Sequence, residues 1–523
     1  MRSYKEHLNT IASSLSVNSK PVFRASAIFP VFHEPDFSSR LLFLGYWLLK
    51  RGVSNLTAVA TLRSSTGELL DRTIFTIDEA RAWRLEISEA LAKINWKESS
   101  FIGSMEIEFF SAKNLVFPFP AVIVNYYGPH FSSMVHTAQR VFNNFEDMNN
   151  VMKASVPESG FNIIVDEKTK PFIAIVNGPE IAPHNEVKCT FYNQEGEILQ
   201  HTWSLGDLNP YQTIVINPAE ELDLASFFKG KPGTAKVYID LPWIFPRLIA
   251  GNRHHRPSAA IITHTYYDCT EATTEGDYWF PSETRWHDAT LGIPLLIDPK
   301  HTTKISLYPI YTPSEFVLGA EIYNLRGGKI DERPVILKVT PKSSSFSQID
   351  FTTIFEQLKF YSQAPCMARI TAKATGKRPI PARIKVAVDI GMQNVSLPCN
   401  ICTNLIPFNP KNDDKPSTFR WLPIVEHPGA TAWIINSGQQ VNYTREAEIT
   451  LTFYREQDCQ TLIRKIVLPP NGSAIIERDH DEELKTFLGE KTGWLTVVAN
   501  NPYVITYYFT ENPAGFVGGD HGF

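Results

Sequence analysis

One short pattern returns down this chain at an almost constant interval, and it limits the fold more than any other feature. The copies read CTFYNQEGEIL from Cys189, AEIYNLRGGKI from Ala320 and LTFYREQDCQT from Leu451, with a more divergent ATLRSSTGELL from Ala60. Superposed on Arg63, Tyr192, Tyr323 and Tyr454, they stand 129, 131 and 131 residues apart. A chain of 523 residues has room for three or four ordinary domains, and the period selects four tandem copies of one unit. The expected units are 21–140, 160–285, 290–400 and 415–523, after a polar N-terminal extension over 1–20.

Within a unit the pattern is that of β-structure. VKCTFYN and ILQHTWSL in the second copy alternate apolar and polar residues, the period of half-buried strands, and the QEGE between them offers a glycine for a tight hairpin. Each unit then carries a short acidic, amphipathic segment: EISEALAKI, EELDLASFF, FTTIFEQLKF and DEELKTFL. Their apolar spacing suits one or two helical turns crossing between sheets. A final strand pair follows, such as WLTVVAN and YVITYYF in the fourth copy. The fold class is therefore all-β: four tandem antiparallel β-sandwich repeats, immunoglobulin- or jelly-roll-like, of about 130 residues, each with a short helical crossover. Two polar, Asn- and Pro-rich stretches, 140–160 and 403–418, read as linkers.

Composition narrows the function classes. A hydrophobic fraction of 43% and a charged fraction of 20% exclude disorder, and a net charge of -5 without a basic block disfavours nucleic acid as a partner. No stretch has the apolar length of a membrane span, and the first twenty residues lack the apolar core of a secretory signal. A cytoplasmic setting with reduced cysteines is the expectation, and export without a signal peptide stays open. No GxSxG elbow, P-loop or GxGxxG follows a strand, so nothing supports nucleophilic or nucleotide chemistry, and no cofactor is expected.

Two groups of residues are candidates for ligand binding. The segments after the closing strands, GPHFSSMVHTAQR, DCTEATTEGDYWF and TENPAGFVGGDHGF, read as Gly- and Ser-rich loops at the sandwich rim, with His130, His136, Asp277, Trp279, Asp520 and His521 available to a ligand. The alternative is that these are solvated loops between units. In the second unit, 241–258 reads as an inserted loop whose Trp243, Arg253, His254, His255 and Arg256 combine stacking surface with anion-binding donors. Its alternative is a loop that docks one unit on another. CNIC at Cys399 to Cys402 lacks the second ligand pair of a structural zinc site, so no metal is assigned.

The order EITLTFY, IVLPP and PYVITYYF in the fourth unit is similar to the sensory-rhodopsin-transducer class of small bacterial sandwich proteins. The similarity covers one unit and carries no site residue across. Function then reads as binding of a carbohydrate or other small polar ligand through rim loops. The alternatives are a scaffold that binds partner proteins or copies of itself, and a carbohydrate-processing enzyme.

Overall fold

The computed structural model describes residues 22–142, 156–271, 275–341, 345–360, 366–395 and 397–523. The expected extension over 1–20 and most of the 140–160 linker lie outside them. The molecule is all-β, with 53% of residues in strands and 9% in helices, and its ladders are antiparallel.

The first unit sets the pattern. Its strands are β1 (Arg24–His33), β2 (Ser38–Leu44), β3 (Leu56–Ser64), β4 (Leu69–Ile77), β5 (Ala82–Glu86), β6 (Phe101–Phe110), β7 (Val122–Gly128) and β8 (Phe131–Val135). One sheet runs β1-β6-β3-β4 and the other β5-β2-β7-β8. The same order of first, sixth, third and fourth strands against fifth, second, seventh and eighth recurs in each later stretch of chain. In the second stretch the first strand breaks into Glu158–Ser159 and Asn162–Ile163 around Gly160, whose φ is 99°. In the third, Ala289–Leu295 also pairs with Ile401–Pro407, which joins its two sheets along one edge.

The helical crossovers form between the fifth and sixth strands, at Ile87–Lys93, Leu224–Phe228, Phe351–Ile354 and Glu482–Leu488. Apolar residues four apart, such as Leu224 with Phe228 and Leu484 with Leu488, turn into the core. Asp223, Asp350 and Asp481 cap three of these helices by accepting the backbone N–H of Ser226, Thr353 and Leu484.

The two sheets of a unit differ in what covers them. Fourth strands such as β4 and Thr461–Leu468 alternate exposed and covered residues, as a sheet edge open to solvent should. β2, by contrast, is buried at every residue, and so is Ile384–Met392 up to its last. These strands have both faces covered because neighbouring units pack on them. Leu42, Ile123 and Met134 of the first unit share a core with Ala432, Ile434 and Tyr508 of the fourth. Trp433, Ile435 and Tyr507 point the other way into the core of the third.

At the centre the eighth strands meet. β8 lies against both Ser258–His264 and Val517–His521, and Ile401–Pro407 touches the same two from the far side. Small residues allow the close approach: Ser133 Oγ accepts from Ile262 N at 2.9 Å, and Thr510 Oγ1 donates to Ser132 O at 2.9 Å. A Cβ added at Gly518 would lie 1.7 Å from Ser132 O.

Several expected boundaries need correction. FSSMV and VGGDH, expected as rim loops, are the central eighth strands β8 and Val517–His521. Their Ser and Gly content reflects strand-to-strand packing, not turn chemistry. The expected insertion over 241–258 holds Ile244–Phe245, paired to Arg140–Val141, and the seventh strand Ile249–His255. Its Gly, Asn, Arg and His concealed the strand. The linker expected from Thr403 begins inside the strand Ile401–Pro407.

Candidate functional site

Three of the central strands end at one place. β8 delivers His136 one residue past its end, Ser258–His264 closes on His264, and Val517–His521 supplies Asp520 and His521. One ring nitrogen from each of His136, His264 and His521 lies within 4.8 Å of the others. Ring centroids are 4.5 Å apart for His136 and His264, and 4.3 Å for His136 and His521.

The acceptors around the rings fix their tautomers. Asp520 Oδ2 accepts from the backbone N–H of His136 at 3.2 Å and from its Nδ1 at 2.7 Å, while Oδ1 accepts from His521 N at 2.8 Å. His264 Nδ1 donates to Thr265 O at 2.8 Å, and His521 Nδ1 to Gly522 O at 2.9 Å. A neutral imidazole that donates through Nδ1 keeps a lone pair on Nε2. His264 Nε2 is buried without a partner.

Electrostatics hold the rings neutral. Burial, then the Arg247 charge, pulls His136 down to about 3. Burial and the neighbouring His136 take His521 to about 4 and His264 well below its ordinary value. Burial raises the Asp520 carboxyl, although the backbone N–H groups of His521 and His136 work against the rise. Arg247 is itself paired with Glu158 at 3.6 Å and lies over the Tyr266 ring at 4.0 Å. Phe523 flanks the group, its ring 4.6 Å from that of His136.

The other sequence candidates do not converge here. His130 is exposed in the turn between β7 and β8. The backbone oxygen of Asp277 accepts from Ala382 N, and Trp279 pairs with Ile380 and packs on the third unit's core. Arg253 grips both carboxylate oxygens of Glu34 in the first unit and lies over Phe37 at 5.0 Å. The His254 ring sits 5.3 Å from Phe516 of the fourth. These two dock units together. Trp243 is half-buried with a φ of 59°, and its backbone oxygen accepts from Phe142 N. His255 and Arg256 stand exposed at the hairpin tip. Of the predicted residues, then, His136, Asp520 and His521 come together. His264 was missed, although FSSMVH, SAAIITH and FVGGDH each close a small-residue strand on histidine.

No protein-family model matches the chain, and no curated protein matches it. Among solved structures, a tetra-tandem repeat in the extending region of a large adhesion protein aligns at 9% identity over 90% of this chain and 91% of that one, with a TM-score of 0.09. A Bacteroides uniformis beta-glucuronidase aligns at 10% identity over 56% of this chain and 30% of that one, with a TM-score of 0.12.

Proposed function

We propose that the chain is a non-catalytic scaffold that holds partner proteins on its outer sheets. The observation that carries this reading is the repeated fourth strand. In every unit it lies at a free sheet edge and puts large apolar side chains into solvent: Ile74, Ile198, Val335 and Ile463, the first exposed to 65%. Apolar side chains repeated on an outer face are what a protein partner covers. Charged neighbours on the same strands, Arg72, Lys338 and Lys465, discourage edge-to-edge pairing of identical chains, so the partner is a different protein.

The test is photo-crosslinking in the cells that make the protein, with a photoreactive residue at position 74, 335 or 463 and a central control at 262. The scaffold reading expects a recurrent crosslinked protein from the three outer positions and none from the control. Crosslinks of the chain to itself alone would replace the partner with a second copy, and outer positions no more reactive than 262 would sink the reading. The carbohydrate reading is supported by the exposed His255 and Arg256. It would take over if a glycan array gave binding that Arg256→Ala removed.

A further inference from the structure

The central histidines have no part in that scaffold reading, and their arrangement is costly unless something joins them. Three imidazoles commit Nδ1 to acceptors, and one ring nitrogen from each lies within 4.8 Å of the others. Lone pairs cannot satisfy one another, and the buried Nε2 of His264 is left an acceptor without a donor, which is unfavourable. We propose that His136, His264 and His521 are the protein ligands of a divalent transition-metal ion of the zinc class, bound where the first, second and fourth units meet.

The donor set selects the ion. Imidazole suits zinc, copper, nickel and cobalt and is a poor match to calcium or magnesium, which take oxygen. Three histidines with a fourth position left open form a known zinc ligand set. The unpartnered Nε2 of His264 is the independent sign that the space wants a cation. Asp520 on His136 Nδ1 is the outer carboxylate that orients a ligating histidine and makes it more basic. A tetrahedral ion with bonds of about 2.1 Å would hold its nitrogens about 3.4 Å apart. The nitrogens, within 4.8 Å of one another, would need to close by no more than about 1.4 Å to reach that spacing. Phe523 packs on the His136 ring, and Glu158 offsets the charge of Arg247, the nearby cation.

Because His264 is buried, the metal should enter during folding. Untagged protein made in zinc-supplemented medium should carry about one zinc per chain by mass spectrometry after gel filtration. Chelator-stripped protein refolded with Co²⁺ should show the visible absorption of a low-coordinate histidine site. His264→Gln and His521→Gln should each lower the metal content roughly tenfold or more, and Asp520→Asn should weaken affinity by about 10–100-fold. His480→Ala, which removes an exposed histidine, should leave metal content unchanged. If His264→Gln does not fold, the cobalt spectrum and zinc content of the unaltered chain decide alone. A metal-free unaltered chain after both loading routes, or full occupancy in folded His264→Gln, would overturn the proposal.

Discussion

Arg40 is almost wholly buried where the first and fourth units join. Its Nη1 donates to Glu426 Oε1 at 2.5 Å, and its Nε donates to Asn125 Oδ1 at 2.8 Å. Glu426 accepts a further bond from Thr492 Oγ1 at 2.7 Å. Burial alone would raise the Glu426 carboxyl, but the Arg40 charge and hydrogen bond outweigh it and hold it at about 2, below the ordinary 4.5. A carboxyl depressed on folding stabilises the protein above its unfolded pKa and loses that contribution as pH falls through its folded one. The pair should therefore contribute fully above about pH 4.5 and fade toward pH 2, a span worth roughly 3 kcal/mol. Denaturant midpoints of the unaltered chain and Glu426→Gln should differ most at pH 6 and converge only as pH falls toward 2. A gap that does not change with pH would show that Glu426 packs without carrying its charge. Arg40→Met alone should cost about 3–5 kcal/mol, and adding Glu426→Gln should recover much of it, since the penalty lies in the orphaned partner.

At the scale of strands, the close contact at Gly518 makes the sharpest demand. The atom a side chain there would strike is a backbone carbonyl, which cannot swing away as a flexible side chain can. Gly518→Ala should lower stability by about 2 kcal/mol in chemical denaturation. Gly376→Ala, with nothing within 4 Å of the added carbon, should stay within about 0.5 kcal/mol. Equal effects would mean that the eighth strands are not tightly opposed. The same close packing explains what could be read in advance. The third-to-fourth hairpins, with their alternation and, in three units, a turn glycine, and the three capped crossover helices were legible because their signals are local. The eighth strands were not. SSMV and VGGD owe their small side chains to a neighbour more than a hundred residues away, and locally they resemble loops. Three members of the histidine site were visible as polar residues near strand ends, but nothing local placed His264 beside them.

Across the whole molecule, one set of strands serves two cores. Ile434 faces the core shared with Leu42 and Ile123, and its neighbours Trp433 and Ile435 face the third unit. A fragment of residues 415–523 would leave Trp433, Ile435, Tyr507 and Phe509 uncovered. It should therefore lack a cooperative thermal transition as a monomer, or assemble through that face, in circular dichroism and gel filtration. A monomeric fragment that melts cooperatively near the temperature of the full chain would show that the units are separate domains linked only by sequence.

The meeting of the eighth strands has a further consequence for how such a centre can exist at all. Separate subunits gathered around an axis depend on their abundance and fall apart on dilution, whereas copies tethered in one polypeptide face each other at a fixed, high effective concentration. Tethering also lifts the demand that all copies be alike, since a change in one gene segment touches one position around the axis and not four. Copies free to drift apart can place histidine at the ends of three inner strands and leave Ile401–Pro407 to continue into Phe408, an asymmetry that identical subunits could never encode.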